Sequence, residues 1–310
     1  MNKSDSIRIF EVGPRDGLQN EKRTLSFEDR LWLIESLVKT GMKDVEAGAF
    51  VRADKIPQMA DSERIEPELL KKNLNGDRWY LVPNRKGLER AIASQVKNIA
   101  VFTAVSDTFN QKNIGMTVDE SFVEIEALVK EAKAQGLKVR GYVSTVWGCP
   151  FEGKISPAKA LPVLERMLAL PVEELSIGDT IGVAAPAGVE AIFKPLLQKY
   201  PSSRLAGHFH DTRGTALANT LRAFELGVRS FDSSLSGLGG CPFAPGATGN
   251  LATEDLVYLF KEMGVDTGVD YELLCQTSLE LSKRMGDRPI QSRALTAYQK
   301  NCAAKNEWDH

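Results

Sequence analysis

Apolar and polar residues follow a two-part beat that repeats along the chain. A short β-type run, Ile7-Arg-Ile-Phe-Glu-Val12, is closed by Gly13-Pro14. From Ser26 to Thr40, apolar residues recur at Phe27, Leu31, Ile34 and Leu37-Val38, which is helical spacing, with Ser26 as N-cap and Gly41 just past the end. The same pairing predicts strands at Asp44–Ala47, Trp79–Val82, Ile99–Phe102, Val139–Val146, Glu174–Ile177, Arg204–His210 and Ser230–Leu235. The helices between and after them fall at about Glu63–Leu74, Leu88–Ser94, Val118–Gln135, Pro157–Leu170, Ala185–Tyr200, Thr215–Leu226 and Thr253–Met263. Eight strand–helix units predict an α/β chain folded as a (β/α)8 TIM barrel. An open doubly wound sheet is the alternative. It usually stops at five or six strands and carries G-x-G-x-x-G after the first, where this chain has Gly13-Pro-Arg-Asp-Gly17. The reading is therefore one catalytic domain over residues 1–310, with about 270–310 forming additional C-terminal helices.

Composition narrows the partners. A net charge of −2 disfavours nucleic acid and anionic membrane, and no apolar run approaches a membrane span. Met1-Asn-Lys-Ser-Asp-Ser6 has no apolar core, so no secretory or transit segment is expected. Four scattered cysteines, Cys149, Cys241, Cys275 and Cys302, form no C-x-x-C pair, which fits a reducing, cytoplasmic location. Cys149 reads as structural, and Cys275 and Cys302 as packing residues of the terminal helices.

A barrel places its chemistry at the C-terminal ends of strands. Arg15-Asp16, past the first strand, is either a surface ion pair or an inward-turned pair whose acid suits a hard metal. His208 and His210 lie two residues apart on one strand and so share a face, which favours a metal over two separate core histidines. Glu46 and Asp179 end strands, and barrel geometry sets Glu46 beside Arg15. Asn250 reads by itself as a helix N-cap. Cys241 sits in Gly237-Leu-Gly-Gly-Cys-Pro242, a loop too rich in Gly and Pro for a packed thiol and suited to one that exchanges a proton.

At these residues the chain resembles the 3-hydroxy-3-methylglutaryl-CoA lyase family of metal-dependent TIM-barrel lyases. The segments that carry the resemblance are Glu11-Val-Gly-Pro-Arg-Asp-Gly-Leu-Gln-Asn-Glu21, Gly148-Cys-Pro-Phe-Glu-Gly-Lys-Ile155, Gly178-Asp-Thr-Ile-Gly182, Gly207-His-Phe-His-Asp211 and the Cys241 loop. The resemblance implies that Asp16, His208, His210 and Asn250 bind a divalent cation, Mg2+ or Mn2+, which moves Asn250 from cap to ligand. It implies catalytic roles for Arg15, Cys241, Glu46, Asp179 and His208, and contacts from Lys22 and Gln19 to CoA. It further implies an acyl-CoA substrate, a homodimer, and retro-Claisen cleavage to acetyl-CoA and acetoacetate. Ala47-Gly-Ala-Phe50 departs from the family's more usual Thr-Thr-Ser-Phe, which is expected to alter contacts near the acyl group. The competing readings are a lyase for a longer branched 3-hydroxyglutaryl-CoA, a Claisen-type synthase related to those making isopropylmalate or homocitrate, and a metal-binding barrel without catalysis.

Overall fold

The computed structural model describes residues 5–240 and 249–308. Strands β1 (Arg8–Glu11), β2 (Asp44–Ala49), β3 (Asp77–Leu81), β4 (Asn98–Ala104) and β5 (Lys138–Ser144) run side by side in chain order. A two-stranded hairpin, β6 (Gly148–Cys149) and β7 (Gly153–Lys154), follows outside the main sheet. Strands β8 (Glu174–Asp179), β9 (Leu205–Phe209) and β10 (Ser230–Ser233) complete a closed barrel of eight parallel strands. The closure is β10 against β1, with Arg8 opposite Ser230 and Glu11 opposite Ser233. This is the predicted (β/α)8 topology.

Each crossover is helical: α1 (Phe27–Lys39), α2 (Ser62–Lys71), α3 (Arg85–Ala93), α4 (Asp107–Ile114), α5 (Val118–Ala134), α6 (Pro157–Leu168), α7 (Pro186–Lys199), α8 (Ala216–Leu226) and α9 (Thr253–Glu262). Ser26 caps α1 as expected, its hydroxyl accepting from the Asp29 amide. Beyond α9 lie α10 (Tyr271–Arg284) and α11 (Arg293–Trp308), the two additional helices. Among the described residues no helix is long and apolar enough to cross a membrane.

Two features were not anticipated. Helix α4 buries only Phe109 and Asn110, too few residues to set up a visible helical stripe, and its ends are local: the Ser106 hydroxyl caps it and Gly115 ends it at φ +75°. The β6–β7 hairpin closes over that helix. Glu152 accepts from the Ser106 hydroxyl at 2.6 Å and the Thr108 amide at 2.9 Å, and the Cys149 thiol lies 3.0 Å from the Ser106 oxygen. Cys149 is thus structural, and Cys275 is buried. Cys302 is exposed, against the expectation that it packs.

The barrel interior is partly ionic. Arg140 Nε donates to Glu174 at 2.8 Å and Nη2 to Asp232 at 2.6 Å, while its guanidinium carbon lies 3.8 Å from the Phe10 ring centroid. Nearer the N-terminal end, Arg8 Nε and Trp79 Nε1 donate to Asp44 at 2.6 and 3.0 Å. Buried charges survive only when paired in this way, and removing one partner leaves the other uncompensated.

Two further buried carboxylates tie the barrel's catalytic end together. Glu11 accepts from the amides of Gly13 and Leu235 at 2.7 and 2.9 Å and from the Thr253 hydroxyl at 2.6 Å. Glu254 accepts from the Ser236 amide at 2.9 Å and from the Ser278 hydroxyl. Burial pushes both carboxyls from an ordinary 4.5 up to about 7, against the pull of those hydrogen bonds. A raised folded-state pKa gives stability that is fully present below about pH 4.5 and is lost as the pH climbs through 7, roughly 3 kcal/mol for each group. The melting temperature is therefore expected to fall between pH 5 and pH 8. Glu11→Gln flattens that slope; an unchanged slope in calorimetry would remove Glu11 from the account.

Candidate metal centre and active site

A cavity of about 530 Å³ opens at the C-terminal ends of the strands, lined on one side by Arg15, Asp16, Tyr142, His208 and His210. Leu81, Phe102, Phe109, Ile114 and Met116 make its opposite, apolar wall. A recess of about 390 Å³ at the other end of the barrel holds none of the predicted site residues.

Residues Gly13–Gly17 form a single wide helical turn, closed by the Gly17 amide donating to the Val12 carbonyl five residues back at 3.1 Å. Such π-type turns recur at functional sites. Here it sets Arg15 and Asp16 side by side at the cavity. A Cβ on Gly17 would stand 2.6 Å from the Ser234 hydroxyl and 2.8 Å from Leu238 Cβ, so glycine is what lets the turn lie against the segment leaving β10.

Arg15 is buried. Its Nη1 donates to Asp16 Oδ1 at 2.8 Å, and its Nη2 stands 2.7 Å from Glu46 Oε2. The Glu46 contact is a close ion pair without aligned hydrogen-bond geometry, and among the described residues both Glu46 oxygens lack an aligned donor. Burial pulls the guanidinium pKa down, but Glu46 and Asp16 more than reverse this, so the charge is permanent. Glu46 moves upward because burial outweighs the attraction of Arg15. For Asp16 the balance is opposite: burial raises its pKa, but Arg15, His208 and His210 hold it below the usual range.

Among the described residues, Asp16, His208 and His210 each present one ligand atom, all within 4.8 Å of one another. Asn250 joins them through backbone pairing rather than as a cap. The Leu251 amide donates to the Phe209 carbonyl at 3.0 Å and Asp211's to the Gly249 carbonyl at 3.1 Å, which stitches Asn250 beside His210. Helix α9 is capped instead by Ala252, without a side-chain bond. Asn250 Nδ2 donates to Asp16 Oδ2 at 2.9 Å and to the Leu238 carbonyl at 3.1 Å. Gly239, at φ +107°, must be glycine, since a Cβ there would reach within 2.7 Å of that Nδ2.

The donor set fits a divalent cation. Among the described residues, Asn250 Oδ1 and His210 Nδ1 are buried without a hydrogen-bond partner, a cost that coordination or a bound water offsets. One carboxylate, two imidazoles and an amide oxygen are ordinary donors to a divalent metal cation.

The other predicted residues are dispersed. Gln19 lines the cavity, its Oε1 at 3.5 Å from Arg15 Nη1. Lys22 is exposed and outside the cavity lining. Asp179 is fully buried and turned into its own loop, where its two oxygens accept from the amides of Val183 and Ala184, both at 2.9 Å; it does not line the cavity. Ala47, Gly48 and Ala49 are buried, and none is among the residues that line the cavity. The Ala49 amide donates to the Ser62 hydroxyl at 3.0 Å and Arg30 Nη2 to the Ala47 carbonyl at 3.0 Å, which ties this segment to α2 and α1. Cys241 lies outside the described residues; Gly240, just before it, lines the cavity.

Sequence reasoning missed Tyr142 and Asp232. Tyr142 lines the cavity with Arg15 5.8 Å from its ring centroid, and its hydroxyl accepts from Arg140 at 2.7 Å. Asp232 stands behind His208, its Oδ2 3.0 Å from Nδ1. Both are single polar residues inside ordinary strand patterns, where nothing local marks them.

Known proteins resemble this chain over nearly its whole length. A hydroxymethylglutaryl-CoA lyase of Pseudomonas mevalonii is 45% identical over 281 residues, covering 91% of this chain and 93% of that one. A crystal structure of the hydroxymethylglutaryl-CoA lyase of Pseudomonas aeruginosa superposes with a TM-score of 0.91 at 38% identity, over 97% of this chain and 100% of that one. An HMG-CoA lyase of Acinetobacter baumannii, solved with coenzyme A and 3-methylmalate, gives 0.89 at 36% identity, over 95% of each chain. The model for the family described as HMGL-like matches residues 6–280, a span holding all eight barrel strands and every predicted site residue, and the chain belongs to that family.

Proposed function

We propose that the protein is a divalent-metal-dependent carbon–carbon lyase that cleaves 3-hydroxy-3-methylglutaryl-CoA to acetyl-CoA and acetoacetate. The observation that carries this reading is the convergence of Arg15, Asp16, His208 and His210 at one wall of a single cavity. Relatives of matching length bear the lyase name, and one was solved holding coenzyme A. Asp16, His208, His210 and Asn250 would hold the cation. When bound, it supplies Lewis acidity toward the substrate's tertiary hydroxyl, each unit taken off that group's pKa being worth about 1.4 kcal/mol.

The chain's own residues do the rest. The hydroxyl proton passes to Asp16 or His208. Breaking the bond between C2 and C3 leaves an enolate on the thioester, and Arg15, a permanent charge fixed by Glu46 and Asp16, faces the oxygen on which that charge collects. Cys241 delivers a proton to the enolate carbon. Lys22 and Gln19 meet the CoA moiety, and the active species is a homodimer in the cytoplasm.

Incubation with 3-hydroxy-3-methylglutaryl-CoA and Mg2+ or Mn2+ tests the assignment, with acetoacetate and acetyl-CoA measured as products. Condensation of acetyl-CoA with a 2-oxo acid and no cleavage would identify a synthase instead. Preference for longer 3-substituents would shift the substrate along the acyl series. Cys241→Ser is expected to lower kcat about 10²- to 10⁴-fold with KM little changed. A fully active variant removes the thiol from the mechanism.

A further inference from the structure

We infer that Asp232 is the positioning residue that makes His208 a metal ligand, by holding its imidazole in the single tautomer whose Nε2 lone pair is free. The inference rests on the metal reading above but concerns a residue no part of that reading uses.

Asp232 sits in β10 and is buried, one strand away from His208 and in register with it. Its carboxylate is saturated with donors. Oδ1 accepts from Arg140 Nη2 at 2.6 Å, and Oδ2 accepts from Arg140 Nη1 at 3.2 Å and from the Ser176 hydroxyl at 2.7 Å. The remaining contact of Oδ2 is His208 Nδ1 at 3.0 Å. A carboxylate locked to a buried guanidinium is ionised and can only accept. The proton between it and His208 therefore belongs to Nδ1, and Nε2 is left as the ring's one available lone pair.

His210 shows no such support among the described residues, where its buried Nδ1 has no hydrogen-bond partner. The two histidines are chemically unequal although they share a strand and a face. Carboxylate support behind a metal-binding imidazole orients the ring and raises its basicity toward the ion. Here the support is itself braced: Arg140 is held from its other side by Glu174 at 2.8 Å, by the Tyr142 hydroxyl at 2.7 Å and by the face of Phe10. This ionic core beneath the site keeps Asp232 from following His208 if the ring turns. With Nδ1–H committed to Asp232 and Nε2 to the ion, His208 has no free lone pair, and the substrate's hydroxyl proton falls to Asp16.

The test reads tautomers and metal binding rather than cleavage, so an error in the assigned substrate leaves it intact. In metal-free wild-type protein at pH 8, 15N-edited NMR of the histidine rings should show Nδ1–H at His208; a resolved Nε2–H there overturns the proposal. Asp232→Ala removes the acceptor from Nδ1 and should let the ring proton pass to Nε2 while leaving His210 unchanged. Calorimetric titration of that variant with Mn2+ should show an affinity about 10- to 100-fold weaker than wild type. Wild-type affinity with the wild-type tautomer in Asp232→Ala overturns the proposal as well. If the variant fails to fold, the wild-type tautomer decides alone. Absence of Mn2+ binding by wild-type protein counts against the metal reading, while the tautomer still judges Asp232.

Discussion

Arg15→Gln is expected to lower kcat about 10³-fold, the upper end of what removal of one oxyanion donor costs. Arg15 offers more than one donor, because it brings a full charge into a site that burial has dried. The two carboxylates on it, Glu46 at 2.7 Å and Asp16 at 2.8 Å, do not neutralise its catalytic use; they keep it ionised and aimed. The substitution also strands Glu46, which is fully buried and has Arg15 as its ion-pair partner. Breaking a buried pair from one side typically costs about 3 to 5 kcal/mol, so a stability loss has to be separated from a catalytic one. Arg15→Lys makes the separation. It retains a cation for Glu46 but not the planar fork, so it should recover most of the melting temperature and little of the turnover. Turnover of Arg15→Gln within tenfold of wild type, at matched folded fraction, would take the guanidinium out of the reaction.

Stripping divalent cations is expected to abolish cleavage, with recovery on addition of Mg2+ or Mn2+. The same titration has a readout independent of catalysis. An ion that binds the folded chain and not the unfolded one stabilises it by about 2.7 kcal/mol at a hundredfold excess over Kd, or a rise of roughly 5 °C in melting temperature. Asp16→Ala should lose both effects, since it removes a ligand and the acceptor of the Asn250 amide together. Retained activity after exhaustive chelation, with no thermal shift on adding the ion, would dismantle the metal centre.

Much of this was legible from local pattern. The alternation of short buried runs with helical stripes is a local property, and it named all eight barrel strands to within a few residues. His208-Phe-His210 was readable because strand geometry alone puts alternate residues on one face. Its limits show in α4, whose few buried residues leave no stripe, and in Tyr142 and Asp232, single polar residues whose place at the site no local pattern marks. Asn250 looks like a cap by local pattern and a ligand by resemblance; its pairing with the end of β9, and the N-cap at Ala252, show that it does not cap the helix.

By itself, then, the order of residues determined the repeating strand–helix unit, the shared face of two imidazoles and the glycine-rich setting of one thiol. These depend on neighbours a few positions apart. Which side chains meet inside the closed barrel was decided by tertiary structure alone. Asp16 and Asn250 are 234 residues apart in the chain, and Arg140 and Asp232 are 92 apart. Their contacts exist because parallel strands from both halves of the chain close on one axis, where a charge cannot be left unpaired and only a distant strand can supply its partner.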